Sequence, residues 1–140
     1  MASTIRLEIV SAEQELFSGE CEMVFAPAAM GEVGIAPKHT PLLTQLKPGE
    51  VVARKVGGEE ETLYVSGGML EIQPHVVTIL SDTGQRAADI DEAAAMAAKE
   101  QAERALSDRA ADIDEAAARA QLAQAAAQIR ALQRLRKTMR

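Results

Sequence analysis

Cysteine and aromatic side chains are scarce in this 140-residue chain, which has no tryptophan, one tyrosine, two phenylalanines and a single cysteine, Cys21. One cysteine excludes an internal disulfide and is typical of a protein in a reducing compartment. Packing must therefore rest on aliphatic side chains and alanine. With 47% hydrophobic residues, the chain can bury one core, or one core and a small appendage.

Long apolar runs are also missing, since no stretch approaches the roughly 20 apolar residues that cross a bilayer. The opening MASTIRLEIV contains neither a basic region followed by an apolar region nor an Arg- and Ser-rich transit sequence. We therefore expect a soluble protein inside the cell, without direct membrane insertion. The formal net charge of -6 argues against nucleic acid as a partner.

Patterns typical of catalytic or metal sites are absent from the sequence. The two histidines, His39 and His75, are far apart, and neither lies near cysteines or acids at ligand spacing. The glycine pairs at 57–58 and 67–68 lack the spacing of a dinucleotide or phosphate-binding loop. Cys21 lies in an alternating pattern that favours a buried structural thiol. These observations indicate a non-catalytic protein without a metal.

Short alternating or β-branched runs separated by turn formers occupy the first 85 residues. Ile5, Leu7 and Ile9 alternate with charged residues, which is typical of a half-buried strand. Turns or breaks are predicted at Ser18-Gly19, Pro27, Gly57-Gly58, Ser66-Gly67-Gly68 and Gln73-Pro74, an exposed loop over 31–41, and a solvated hairpin tip at Glu59-Glu60-Glu61. Strands this short predict an antiparallel β-sandwich over residues 1–85.

The remaining residues, 86–140, are rich in alanine and charge. The peptide RAADIDEAAA occurs at 86–95 and again at 109–118, and in each copy an Asp precedes a Glu by three residues, as in a helix capping box. The repeat predicts helices from about Ile90 to Leu106 and from about Ile113 towards Met139, joined as an antiparallel hairpin. The predicted fold is therefore α+β. Because alanine buries little area, we expect this hairpin to dock weakly and to be able to change partners.

The second predicted helix concentrates positive charge. Residues 116–140 contain no acid and six basic side chains. Four of these fall within an arc of about 60° on a helical wheel: Arg119, Arg130, Arg134 and Lys137. A solvated face is one interpretation, and contact with an external acidic partner is the other. The missing acids favour the second, because they remove the usual i,i+4 ion pairs.

Several motifs, in order along the chain, carry a resemblance to a known family. They are Ser11-Ala12-Glu13-Gln14, Phe17-Ser18-Gly19, Gly31-Glu32-x-Gly34-Ile35-x-Pro37-x-His39-x-Pro41-Leu42-Leu43-Thr44, Leu46-Lys47-Pro48-Gly49, Tyr64-Val65-Ser66-Gly67-Gly68, Glu71-x-Gln73-Pro74 and Asp82-Thr83. Together they resemble the epsilon subunit of F-type ATP synthase over essentially the whole chain.

The resemblance implies a non-catalytic rotor subunit whose sandwich binds the gamma subunit and sits on the membrane c-ring. It implies c-ring contacts at Gly31, Glu32, Val33 and Gly34, and gamma contacts at His39, Pro41 and Leu42. When the hairpin extends, Arg119, Arg130, Arg134 and Lys137 would face acidic segments of the alpha and beta subunits and obstruct rotation, which would inhibit ATP hydrolysis. The expected location is the cytoplasmic face of the bacterial inner membrane, as a peripheral part of the complex.

One departure concerns ATP binding, which the family places at an Ile/Leu-Asp-x-x-Arg-Ala motif in some members. Here Ala94 stands at the arginine position after Ile90-Asp91, and Ala117 stands there in the second copy. A phosphate site without the guanidinium loses its bidentate contact, so we predict no ATP or other cofactor. A different function also stays open: a free-standing adaptor whose sandwich and hairpin each bind unrelated proteins.

Overall fold

A computed structural model of the chain describes residues 3–108 and 114–138. In these ranges the elements are β1 (Ile5–Ser11), β2 (Glu15–Ala28), β3 (Gly31–Ile35), β4 (Leu42–Leu46), β5 (Gly49–Lys55), β6 (Glu60–Val65), β7 (Gly68–Ile72), β8 (Val76–Ser81), β9 (Gly84–Arg86), a 3-10 turn (Ala87–Asp89), α1 (Glu92–Ser107) and α2 (Glu115–Thr138). Strands followed by two helices confirm the predicted α+β class.

The strands follow the order β1-β8-β7-β4-β2-β5-β6-β9, and β1 also pairs with β2, so that the sheet folds back on itself as a flattened sandwich. Alternate residues of each strand point inwards, as the two-residue period of a strand requires. Leu7 and Ile9 of β1 thereby meet Val51 of β5 and Leu63 of β6 in one aliphatic core. All four side chains are fully buried. This core forms the interior of the sandwich.

Strand β2 differs from its prediction, because it runs for 14 residues through both Ser18-Gly19 and Pro27. Ser18 and Gly19 pair with Glu8 and Leu7 of β1, so the predicted turn is wrong. Pro27 does not end the strand. Its carbonyl oxygen accepts a hydrogen bond from the Lys47 amide (3.0 Å), and Pro27 keeps its place opposite Glu32 in the pairing with β3 although it has no N–H to donate. The long strand can therefore pair with both halves of the sandwich.

Two further differences concern pairing. The segment predicted as an exposed loop over 31–41 begins with β3, which pairs antiparallel with the end of β2 across a tight turn. Strands β1 and β8 pair in parallel, although the prediction was wholly antiparallel. Local turn signals could not show this contact, because β1 and β8 are separated by most of the sandwich sequence. The predicted breaks at Gly57-Gly58 and Gln73-Pro74 are confirmed, and the break at Ser66-Gly67-Gly68 is confirmed for its first two residues, since Gly68 begins β7.

The helix starts are close to their prediction, but the capping residue is the second Asp of each repeat. Asp91 accepts a hydrogen bond from the Ala94 amide (3.1 Å), and Asp114 does the same for Ala117 (3.1 Å). Asp89 belongs instead to the 3-10 turn that precedes α1. The predicted start at Ile113 and the predicted end at Met139 lie outside the described residues.

The helical hairpin packs on the outside of the sandwich, mainly through α2 against β5 and β6. A second, smaller apolar cluster forms there from Tyr64, Ala87, Ile90, Ala95, Ala127, Ala131 and Leu132. Tyr64 and Leu63 are neighbours on β6 but point to opposite faces, so the sheet separates this cluster from the sandwich core. The hairpin is thus an attached layer with a largely alanine contact.

The glycine that begins β7, Gly68, provides a test of the sandwich. A Cβ added at Gly68 (φ +133°) would lie 2.0 Å from the Leu80 carbonyl oxygen, so we expect Gly68→Ala to lower the free energy of unfolding by about 3 kcal/mol or more. The control is Gly57→Ala, which also has positive φ (+98°) but no atom within 4 Å of the added Cβ, and which should cost only about 1 kcal/mol. Equal losses in chemical denaturation would contradict the steric explanation.

Candidate functional site

The segment that the resemblance assigns to the c-ring lies on β3, beside the end of β2. Glu32 and Gly34 are exposed, and Gly31 and Val33 are partly exposed. The turn that precedes them carries Met30, whose side chain is 99% exposed at the tip of the β2–β3 hairpin. A large apolar side chain fully in water is typical of a contact site when others adjoin it. Met30 was not predicted as a contact residue, although it directly precedes Gly31, the first residue of the loop predicted over 31–41.

The residues assigned to gamma lie at the start of β4. The backbone before them is held by the Lys38 amide, which donates to the Pro74 carbonyl (2.9 Å), and by the His39 amide, which donates to Ala36 (3.2 Å). Nδ1 of His39 donates to the Thr40 carbonyl at 2.6 Å, which orients the imidazole ring. Pro41 is exposed, and Leu42 is 40% exposed. These hydrogen bonds fix the backbone at Lys38 and His39 and the orientation of the His39 ring, just before β4 begins.

An exposed apolar surface that the sequence analysis missed continues from this point. Leu43, Met69 and Leu80 are 65%, 36% and 56% exposed. They lie on β4, β7 and β8, and Met69 pairs directly with Leu80 in the sheet register. We call Leu43, Met69 and Leu80 the apolar strip. No local pattern could identify it, because the three side chains come together only when their strands pair.

The basic face of α2 is not free of acids, so the prediction of unpaired cations is wrong for two of its four members. Arg119 pairs with Glu115 (2.7 Å), which is one residue before the acid-free segment. Arg134 pairs with Glu60 of β6 (3.4 Å). In addition, Arg136 pairs with Glu92 of α1. These acids come from the helix start, the sheet and the other helix, where a search within residues 116–140 could not find them.

The predicted solvated tip at Glu59-Glu60-Glu61 is correct only for Glu59, which is exposed. The side chain of Glu60 is 16% exposed and also pairs with Arg54 of β5 (3.2 Å). Glu61 pairs with Lys55 (3.1 Å) and with Arg86 (3.4 Å). Both carboxylates are drawn into the structure because β6 begins at Glu60 and places its side chains against neighbouring strands and α2.

A further acid, Glu50, lies on the same outer face of the sheet, opposite Tyr64. Burial raises the pKa of Glu50 above its ordinary value of 4.5, while the nearby charges of Arg134 and Arg130 lower it and that of Glu32 raises it. Among the described protein atoms, Glu50 Oε2 and Arg134 Nε are buried without a hydrogen-bond partner. We call Glu50, Arg54, Glu60, Arg130 and Arg134 the docking cluster.

Three features of the described residues bear on catalysis and membrane contact: the potential metal ligands, the single cysteine and the length of the helices. In these ranges, no group of three or more His, Cys, Asp or Glu side chains is placed to hold a metal ion. Cys21 is buried, and burial raises the pKa of its thiol to about 11, as expected for a structural cysteine. Neither of the helices described is long and apolar enough to cross a bilayer. The notable arrangement is therefore a set of contact surfaces.

The pKa of Glu50 leads to a prediction about pH. A pKa raised by folding means that stability from the protonated carboxyl is present below pH 4.5 and is lost as pH rises through the raised value. We therefore expect Glu50→Gln to raise the melting temperature at pH 7 and to flatten its dependence on pH just above 4.5. Glu71→Gln, at an exposed site, is the control. A lower melting temperature for Glu50→Gln would mean that attraction by the arginines outweighs burial.

Comparisons with known proteins agree over the length of the chain. The family described as ATP synthase, Delta/Epsilon chain, matches through its beta-sandwich domain at residues 4–87 and its long alpha-helix domain at residues 88–133. The ATP synthase epsilon chain of Nitrosococcus oceani is 63% identical over 139 residues, covering 99% of each chain. That of Xanthomonas campestris pv. campestris is 56% identical over 138 residues, again covering 99% of each.

Solved structures share the fold at lower identity. A chain in the cryo-EM structure of the Euglena gracilis mitochondrial ATP synthase has a TM-score of 0.70 and 21% identity, covering 99% of this chain and 82% of its own. A chain in the Tetrahymena thermophila mitochondrial ATP synthase central stalk and c-ring has a TM-score of 0.57 and 14% identity, covering 91% and 96%. The two solved structures show a shared fold, and the two domain matches together with the full-length identities establish that the chain belongs to the ATP synthase delta/epsilon family.

Proposed function

We propose that the chain is a non-catalytic central-stalk subunit of a proton-translocating ATP synthase, where it links the gamma subunit to the membrane c-ring. The observation that carries this proposal is the 63% identity to an ATP synthase epsilon chain over 99% of both chains. The c-ring, and not this subunit, would determine the coupling ion. The subunit would lie at the cytoplasmic face of a bacterial inner membrane, attached through the complex.

The sandwich, assigned to residues 1–85, would transmit torque between its two partners. Its interior of fully buried aliphatic side chains resists shear, because close-packed cores deform little under load. Strand β9 extends to Arg86, where the guanidinium donates to the Leu16 carbonyl (3.2 Å). The mechanical unit would thus include these residues, and the hairpin would begin after the 3-10 turn.

The contact with the c-ring would lie at the β2–β3 hairpin, through Gly31, Glu32, Val33 and Gly34. Met30 at its tip supports this assignment, because burying a fully exposed methionine side chain would contribute about 1.5–3 kcal/mol. Small residues beside it leave room for a partner backbone to approach. This end of the sandwich therefore combines an apolar anchor with low steric bulk.

The contact with gamma would include His39, Pro41 and Leu42 and would extend over the apolar strip. Three large apolar side chains exposed on neighbouring strands are costly in water and typical of a protein interface. An adaptor that binds unrelated proteins could use the same strip, so the identity of the partner must be measured. Stable association with gamma distinguishes the two functions.

The helical hairpin, assigned to residues 86–140, would inhibit ATP hydrolysis by extending along gamma. Arg119, Arg130, Arg134 and Lys137 would then meet acidic segments of the alpha and beta subunits. Extension requires release of the docking cluster and of the small cluster at Tyr64, so the new contacts must exceed what is lost. Each tenfold shift in the population corresponds to about 1.4 kcal/mol.

Co-purification tests the stalk function. We expect the wild-type chain to form a stable complex with its cognate gamma subunit, and Leu43→Glu to reduce the yield of that complex about tenfold, since a carboxylate would be buried at the interface. The matched control is Val56→Glu, which also places an acid at an exposed apolar position, in the β5–β6 turn. Failure of the wild-type chain to bind gamma would favour the adaptor function.

Truncation tests inhibition separately. A chain ending at Asp89 retains β9 and the 3-10 turn, whereas an end at Gly84 would remove Arg86 and its bonds to Leu16 and Glu61. We expect the truncated subunit to assemble and to raise ATP hydrolysis by the membrane-bound complex about twofold or more. Unchanged hydrolysis, with normal assembly, would show that the hairpin does not inhibit.

A further inference from the structure

The docked position of α2 depends on a contact with little apolar area. Where the helix packs on β5 and β6, two of its three buried residues in the cluster with Tyr64 are alanines, and its larger side chains Ile129 and Leu135 are only partly buried there. Alanine side chains remove little surface from water, so this contact stabilises docking less than a leucine seam of equal length would. Polar contacts at the same surface therefore have a larger relative effect on docking than they would beneath a bulky apolar helix.

Glu60 supplies such a contact, and the sheet holds its carboxylate in place. Arg54 lies directly opposite Glu60 in the β5–β6 register and donates to Oε2 from Nη2 (3.2 Å) and Nε (3.4 Å). The Arg54 guanidinium in turn lies 5.5 Å from the centre of the Phe25 ring, a cation–π distance. A residue of the sheet thus orients one oxygen of this carboxylate, without any contribution from the helix to that contact.

The remaining oxygen of this carboxylate faces α2. Oε1 of Glu60 accepts a hydrogen bond from Arg134 Nη2 at 3.4 Å. The Glu60 side chain is only 16% exposed, so water screens this ion pair less than it screens the surface pairs Arg104–Glu100 and Arg119–Glu115. In the described structure, Glu60 is the carboxylate that joins the sheet to the basic face of the hairpin by a hydrogen bond.

We propose that Glu60 acts as an internal substitute for the acidic partner of the hairpin, holding Arg134 in the docked state and releasing it only when an external carboxylate competes for it. The proposal rests on the function proposed above, in which Arg134 meets acidic segments once the hairpin extends. One guanidinium cannot remain at Glu60 and also reach a distant carboxylate. Docking and partner binding are therefore mutually exclusive at Arg134. The strength of the Glu60 contact determines how tightly an external carboxylate must bind Arg134 to displace it.

The geometry of the docking cluster keeps this contact reversible. Among the protein atoms described, Arg134 Nε and Glu50 Oε2 are buried without a hydrogen-bond partner, although they belong to the same cluster. Burying unsatisfied polar atoms opposes docking. An external carboxylate that bonded Arg134 through both Nε and Nη2 would satisfy the guanidinium more completely than Glu60 does. The hairpin thus stays docked in the absence of a partner, but an external carboxylate can compete with Glu60 for Arg134.

The test compares Glu60→Gln with Glu59→Gln in the full chain. Both substitutions remove one negative charge, at adjacent positions, but Glu59 is exposed, precedes β6 and lies outside the docking cluster. Spin labels at the exposed positions Val56→Cys and Gln133→Cys report the distance between sheet and helix by pulsed electron resonance. We expect Glu60→Gln to raise the undocked fraction about fivefold and Glu59→Gln to change it less than twofold. Equal effects would overturn the proposal.

A double-substitution cycle and a competitor give independent readouts. If the effect passes through Arg134, Glu60→Gln should have no further effect on the undocked fraction in an Arg134→Gln background. With poly-glutamate as the probe, Glu60→Gln should bind about fivefold more tightly than wild type, whereas Glu59→Gln should match wild type. An additive cycle, or equal poly-glutamate affinity in all three chains, would contradict the competition.

These measurements also separate this proposal from the proposed function. They use the isolated chain, whereas the stalk function is tested by complex formation with gamma. A chain that binds gamma but shows no difference between Glu60→Gln and Glu59→Gln would overturn only the role of Glu60. A chain that shows the Glu60 effect but does not bind gamma would overturn the stalk function while retaining the internal contact.

Discussion

The antiparallel pairing of β5 and β6, which packs on both of its faces, is the constraint on which the rest of the structure depends. Because side chains alternate along a strand, Val51 and Leu63 enter the sandwich core while Glu50 and Tyr64 point to the opposite side. The same two strands therefore complete a rigid interior and present a docking surface for α2. A shift of one residue in their register would exchange the two faces and destroy both.

The contrast between those faces sets how the molecule can move. The inner face is closed by aliphatic side chains that contribute roughly 1.5–3 kcal/mol each, and it joins strands distant in sequence. The outer face has a smaller apolar cluster, made of Tyr64, alanines and a few larger aliphatic side chains, and a partly buried ion-pair network around Glu60. A load that leaves the sandwich intact can thus still detach the hairpin. This difference is consistent with the proposed function, in which the sandwich would stay stiff and the hairpin would separate from it.

The placement of charged residues favours one docked position of the hairpin. The acidic sheet residues and the basic helix face complement each other in the docked state, and the helix would use the same cations towards another protein. Arg134 is paired with Glu60 in the docked state, so under the proposed function competition for its guanidinium would couple hairpin position to partner binding. The apolar strip lies on β4, β7 and β8, whereas α2 packs mainly on β5 and β6.

Local sequence patterns were sufficient for the α+β class and for many of its strands and helices. Alternation in Ile5, Leu7 and Ile9 identified a strand, and the repeated Asp-Ile-Asp-Glu identified two helix starts, because both signals depend on residues only a few positions apart. The same reasoning misplaced the turn at Ser18-Gly19. There, pairing with β1 satisfies the backbone of both residues and overrides their turn preference.

What the sequence alone determined was the alanine-rich hairpin with its concentrated positive charge and the motifs shared with the family. Only the tertiary structure decided which acids meet those cations, since Glu60 comes from a strand 74 residues away from Arg134. It also decided that Leu43, Met69 and Leu80 form one exposed surface. Contacts between distant residues depend on strand order and helix docking, and neither is encoded in a local pattern.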